Sequence, residues 1–107
     1  MKKTVQALIE AHLTSIEGPA CVASLMEMSY HTLRRRFRQE TGMSLGRFIA
    51  ERRVARAQQL LQETALRHYE ICYLVGFPGE VTGARTFKRI TGQTMTGYRW
   101  AHRDSDG

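Results

Sequence analysis

The strongest constraint on this chain is a phrase it uses twice. Residues 34–42 read RRRFRQETG and residues 84–92 read ARTFKRITG, so Arg35, Phe37, Thr41 and Gly42 recur fifty positions later as Arg85, Phe87, Thr91 and Gly92. The match extends outward: Val22-Ala23 pairs with Ile71-Cys72 at a spacing of 49, and Phe48 pairs with Tyr98 at 50. The change of spacing places one extra residue in the turn of the second copy. A chain of 107 residues holding two such copies has room for one small domain, or for two very small ones sharing a long element.

Both copies read as helices. Near the start, Val5, Leu8, Ile9, Leu13 and Ile16 fall at helical spacing, which predicts an amphipathic helix over 2–15, stopped before Gly18-Pro19. A short helix over 20–26 follows. Ser29 is a good N-cap for a helix running to Thr41, and Gly42 takes the position past a helix end that glycine favours. The second copy predicts a short helix over 68–75 closed by Gly76, a turn at FPGE, a helix over 80–91 ended by Gly92, and a last piece over 96–102. Between the copies, Ser44 can cap SLGRFIAERRVARAQQLLQET, which contains no proline. Its apolar residues Leu45, Phe48, Ile49, Ala57, Leu60 and Leu61 form two loose flanks, so it is expected to be touched on more than one side. A short helix, a turn and a second helix outline a helix-turn-helix. The expected fold is all-α with about seven helices: a first helix-turn-helix subdomain over 1–43, a linking helix over 44–64 and a second helix-turn-helix subdomain over 65–107.

The formal charge is +6, carried mostly by arginine, which favours polyanions and above all nucleic acid. On the helix from Ser29 to Thr41, Leu33 and Phe37 share one face and Arg35 lies about 200° around from each. His31, Arg34 and Arg38 flank Arg35, and no acid appears before Glu40. A major groove accepts such a helix, and arginine there can bond both O6 and N7 of guanine. Tyr30 and His31, near the helix start, are placed to reach bases or phosphates.

Other classes fit poorly. Cys21 and Cys72 are too few for a disulfide framework and suit a reducing compartment. No apolar run is long enough to span a membrane, and Glu10 and His12 interrupt the opening MKKTVQALIEAHL as a targeting segment; the expected location is the cytoplasm. His68 and Cys72 stand four apart, a metal-ligand spacing, but Cys72 takes the place of Ala23 in the repeat and reads as core. His12 with Cys21 makes no stronger case. Tyr98 matches Phe48 and reads as core, and Met26, Met28, Met43 and Met95 read as packing. No carboxylate pair, nucleophile-base arrangement or phosphate-cradling loop is legible. An enzyme, a cofactor and a metal are therefore not expected.

The segment from Val22 to Arg99 resembles the DNA-binding domain of the AraC/XylS family of bacterial transcription regulators. The resemblance is carried by VASLMEMSYHTLRRRFRQETGMSLGRFI, by Arg53, Ala57, Leu60 and Leu61 in the linking helix, by EICYLVGF, by FKRITG and by the closing Gly97-Tyr98-Arg99. It implies two helix-turn-helix units presented by one monomer to successive major grooves of double-stranded promoter DNA. It implies base-reading positions at His31, Arg34 and Arg35 in the first unit and at Glu80, Val81, Thr82 and Arg85 in the second. Backbone contacts are implied at Tyr30, Arg36, Arg38, Arg47, Lys88 and Arg89. Activation requires contact with RNA polymerase. The chain reads either as a short family member of the MarA/SoxS type or as the C-terminal domain of a longer regulator. A linking helix of about 19 residues spans roughly 28 Å, near the roughly 34 Å between major grooves on one face of DNA.

Three departures from the family pattern carry expectations. Glu27 stands where the first turn normally has glycine, which predicts strain at a positive φ. Gly83 replaces a bulky apolar residue, the counterpart of Leu33, and Pro78-Gly79 replaces a polar turn. The second unit is therefore expected to be looser and the weaker reader, and Gly83→Leu to raise the melting temperature. Met95 stands where proline is usual. Two other readings fit the same residues: a protein-interaction or adaptor module whose second helix-turn-helix has degenerated, and a nonspecific nucleic-acid binder.

Overall fold

The structure, a computed structural model, describes residues 2–16 and 18–103. Among these it holds seven helices and no strand. They are α1 (Lys2–Ala11), α2 (Pro19–Leu25), α3 (Tyr30–Thr41), α4 (Leu45–Glu63), α5 (His68–Val75), α6 (Glu80–Thr91) and α7 (Met95–Arg103). The chain divides into two compact units between Arg52 and Arg53, inside α4.

The helix limits follow local chemistry. α1 stops at Ala11, four residues short of the expected end, where the Ser15 hydroxyl and amide both turn back to the His12 carbonyl. Serine and threonine hydroxyls compete with the helix for backbone groups, and Leu13 and Ile16 are buried from a turn instead. At α3, the Thr32 amide donates to Ser29 Oγ at 3.1 Å, satisfying one of the amides a helix start leaves open. At α4, the Arg47 amide donates to Ser44 Oγ at 3.2 Å. α7 begins at Met95, one residue before the expected start, with the Gly97 amide donating to Thr94 Oγ1 at 3.0 Å.

The two copies share their ends almost atom for atom. The Thr41 hydroxyl donates to the Phe37 carbonyl at 2.7 Å and accepts from the Met43 amide at 3.1 Å. Thr91 does the same with Phe87 at 2.8 Å and Gln93 at 3.1 Å. Gly42 and Gly92 follow at φ 76° and 80°, each donating its amide four residues back at 2.8 Å. The conserved phrase of the repeat is thus a helix terminator. Threonine closes the last turn, and glycine takes the left-handed step that L-residues avoid.

Each unit has its own core. The first gathers Val5, Ile9, Leu13, Ile16, Val22, Ala23, Leu33 and Phe37 with Leu45 and Ile49 of α4. The second gathers Val54, Ala57 and Leu61 of α4 with Ile71, Cys72, Val75, Phe77, Phe87, Met95 and Tyr98. Each unit thus draws its own apolar residues from α4, which is why the sequence shows two loose flanks rather than one stripe. Phe37 meets Phe48 at 5.4 Å between ring centroids, and Phe87 meets Tyr98 at 5.6 Å, within the range of favourable edge or tilted contacts. Met95 is buried in the second core.

The expectation of a hole at Gly83 does not hold. Gly83 faces the core, as the repeat requires, but a Cβ built there would lie 2.5 Å from Cys72 Sγ and 3.0 Å from a Phe77 ring carbon. Cys72 and Phe77 occupy the volume that the side chain of Leu33 fills in the first copy. Burial, and then the carboxylate of Glu80, push the Cys72 thiol up from its ordinary pKa, so it stays protonated at neutral pH and packs as a small apolar group. The expectation at Glu27 does hold. It is the non-glycine residue at positive φ, 54°, among the described residues. Its counterpart 49 positions on is Gly76, at φ 98°.

Candidate nucleic-acid interface

The outward faces of α3 and α6 are built by the same geometry. Leu33 and Phe37 anchor α3 in the first core; Gly83 and Phe87 anchor α6 in the second. At about 100° per residue, Arg35 and Arg85 lie diametrically opposite those anchors, and both are exposed. His31 and Val81 stand one turn earlier on the same faces; Arg38 and Lys88 stand nearly one turn later. All of them are exposed, as are Arg34, Thr82 and Arg89. The structure therefore brings His31, Arg34, Arg35 and Arg38 together on one face of α3. On α6 it brings together Val81, Thr82, Arg85, Lys88 and Arg89.

Four of the sequence candidates sit apart from these faces. Tyr30 and Glu80 open their helices about 140° around from Arg35 and Arg85. Glu80 lies close enough to Cys72 to act on its thiol, and an acid in the first turn suits the positive end of the helix dipole. Arg36 lies on a flank of α3, about 100° from Arg35. Arg47, on the first turn of α4, is paired with Glu51 at 2.7 Å, with its side chain 72% exposed. An exposed pair of this kind contributes little, so the guanidinium can exchange a carboxylate for a phosphate at small cost.

One feature of the second unit escaped the sequence reading. Ala84, Arg85, Lys88 and Arg89 of α6 line a shallow groove with Thr94 and Met95 at the start of α7. It sets three cations beside the start of α7, around a mostly apolar lining. The signal was present in the repeat: Thr94 is the counterpart of Ser44, and both cap the helix that follows.

Among the described residues no helix is long and apolar enough to cross a membrane. The buried cation Arg53 faces inward: it is 8% exposed, with its guanidinium 6.0 Å from the centroid of the Phe77 ring. Burial lowers its pKa, yet a guanidinium starts so far above neutrality that it keeps its charge.

This arrangement has known parallels. Residues 22–101 match the model of a helix-turn-helix domain family. The chain is 32% identical over 102 residues to the HTH-type transcriptional activator RhaR of Salmonella schwarzengrund, covering 92% of this chain and 36% of that protein. It thus spans about a third of the length of that relative. Among solved structures, the DNA-binding domain of AdpA, a global transcriptional factor crystallised with a target DNA, is 30% identical with a TM-score of 0.89. That match covers 96% of this chain and 93% of the other. A transcriptional regulator of Chromobacterium violaceum, described by its AraC-type DNA-binding domain, is 26% identical with a TM-score of 0.85, over 99% and 94% of the two chains. With its duplicated helix-turn-helix and a family match over most of its length, the chain belongs to the AraC-type helix-turn-helix family.

Proposed function

We propose that the chain is a sequence-specific, double-stranded DNA-binding transcription regulator that lays α3 and α6 in successive major grooves. The observation that carries this is the pairing of outward faces: Arg35 and Arg85, each opposite its own helix's core anchors, each with further cations beside it. His31, Arg34 and Arg35 read bases in one groove; Val81, Thr82 and Arg85 read them in the next, and Glu80, implied as a reader by the resemblance, opens α6 off that face. Tyr30, Arg36, Arg38, Arg47, Lys88 and Arg89 hold phosphates and fix the register. The protein works as a monomer in the cytoplasm, without catalysis or cofactor. Kinship with RhaR, named an activator, supports activation through contact with RNA polymerase. The adaptor reading drew on Gly83 and Pro78-Gly79; Cys72 and Phe77 fill the space beside Gly83, which removes the first of these two motives.

Selection of bound sequences from random duplexes tests the proposal. The expected result is an asymmetric site with two half-sites about one helical turn apart. A steep salt slope with equal affinity for all duplexes would reduce the chain to a nonspecific binder.

A further inference from the structure

We infer that Val81 recognises a thymine, through contact of its isopropyl group with the C5-methyl of the base. This rests on the reading above and narrows what the second half-site contains. Val81 is the second residue of α6 and is 66% exposed. A single exposed apolar side chain is ordinary; its position is what matters. It stands one turn before Arg85 and about 40° around from it, on the face opposite Gly83 and Phe87. The other side chains on that face, Thr82, Arg85, Lys88 and Arg89, all carry hydrogen-bonding groups; Val81 offers apolar surface alone.

In a major groove every base edge presents donors or acceptors, and only thymine adds an apolar group. A valine pressed against any other edge would strip water from polar atoms and return nothing. Against a thymine methyl it buries apolar surface on both sides. Four helical residues rise about 6 Å, between one and two base-pair steps. The thymine therefore lies within about two base pairs of the base that Arg85 takes. At the corresponding position α3 carries His31, which has hydrogen-bonding nitrogens and no such methyl contact to make. The first half-site thus supplies an internal control.

The test begins with a duplex chosen by selection. The half-site facing α6 is the one whose preference relaxes with Arg85→Ala. Each thymine in both half-sites is then replaced singly by deoxyuridine, which removes the methyl and keeps the pairing. One substitution near the Arg85 position should weaken binding about fourfold, which is about 0.8 kcal/mol at 1.4 kcal/mol per tenfold. That penalty should vanish in Val81→Ser, persist in Val81→Ile, and be absent across the half-site facing α3. Specific binding with no deoxyuridine penalty beside Arg85, or with the same penalty in Val81→Ser, overturns the inference and leaves the DNA-binding proposal standing. Absence of any sequence preference at the selection step overturns both.

Discussion

At the scale of single residues, Gly83 and Glu27 carry opposite lessons. Glycine inside a helix costs about 1 kcal/mol against alanine, so Gly83→Ala is favourable by propensity alone. The added Cβ meets Cys72 Sγ at 2.5 Å, and overpacking of this kind costs about 1–3 kcal/mol. Gly83→Ala should therefore lower stability in urea unfolding, and Gly83→Leu should lower it further. In a Cys72→Ala background the same Gly83→Ala change should cost clearly less, because the sulfur it strikes is gone. Equal costs in the two backgrounds would mean that Cys72 is not the obstacle. The sequence could not foretell this. Position 83 is legible as inward from the repeat, but the volume that fills its place comes from residues six and eleven positions earlier. Only the folded turn between α5 and α6 brings them there. Glu27 is the reverse case, legible because the demand is local to one backbone step. A non-glycine residue in the left-handed region costs about 1–2 kcal/mol, partly offset in Glu27→Gly by the freer unfolded chain. Glu27→Gly should raise stability by about 0.5–1 kcal/mol, and a fall would show that Glu27 makes a compensating contact.

At the scale of elements, what holds the second unit together is in part a long-range helix cap. The last carbonyls of a helix have no partner within it. At the end of α4 they are met from α7: Arg99 Nε donates to the Leu61 carbonyl at 3.2 Å, and Nη2 donates to the Thr64 carbonyl at 3.1 Å. The Thr64 hydroxyl closes the same turn on the Leu60 carbonyl at 2.6 Å. A planar fork holds two N–H donors in fixed directions toward the two carbonyls, whereas an ammonium is a point charge on a flexible stem. Arg99→Ala should cost about 1.5–3 kcal/mol in urea unfolding, the range for hydrogen bonds to a charged group. Arg99→Lys should recover less than half of it; full recovery would reduce Arg99 to a simple charge beside the helix end. Helix identities were readable here, since caps, glycines and apolar spacing are local signals. The fork was not, because it joins positions 35 and 38 residues apart. The outward faces were readable for the same reason as the helices: Arg35 and Arg85 follow from the positions of Phe37 and Phe87 by rotation alone.

At the scale of the whole molecule, the contrast between the two copies lies on the surface rather than in the packing. The first unit offers Arg34, Arg35 and Arg38 on one face of α3. The second offers Arg85 with Lys88 and Arg89 on α6, and its core is closed by Cys72 and Phe77. A second unit loosened by Gly83 would have left one working head. On the proposed reading, two packed heads neutralise phosphates in two separate stretches of DNA. Each neutralised phosphate contributes about 0.9 to the slope of log affinity against log salt. Arg38→Ala and Lys88→Ala remove one exposed cation from each unit while sparing the residues opposite the core anchors. Each variant should weaken binding to matched and mismatched duplexes alike and lower the slope by about one. The double variant should lower it by about two, since distant sites add. Binding through a single head gives a different result: one of the two variants would leave both affinity and slope unchanged, and the double variant would match the other.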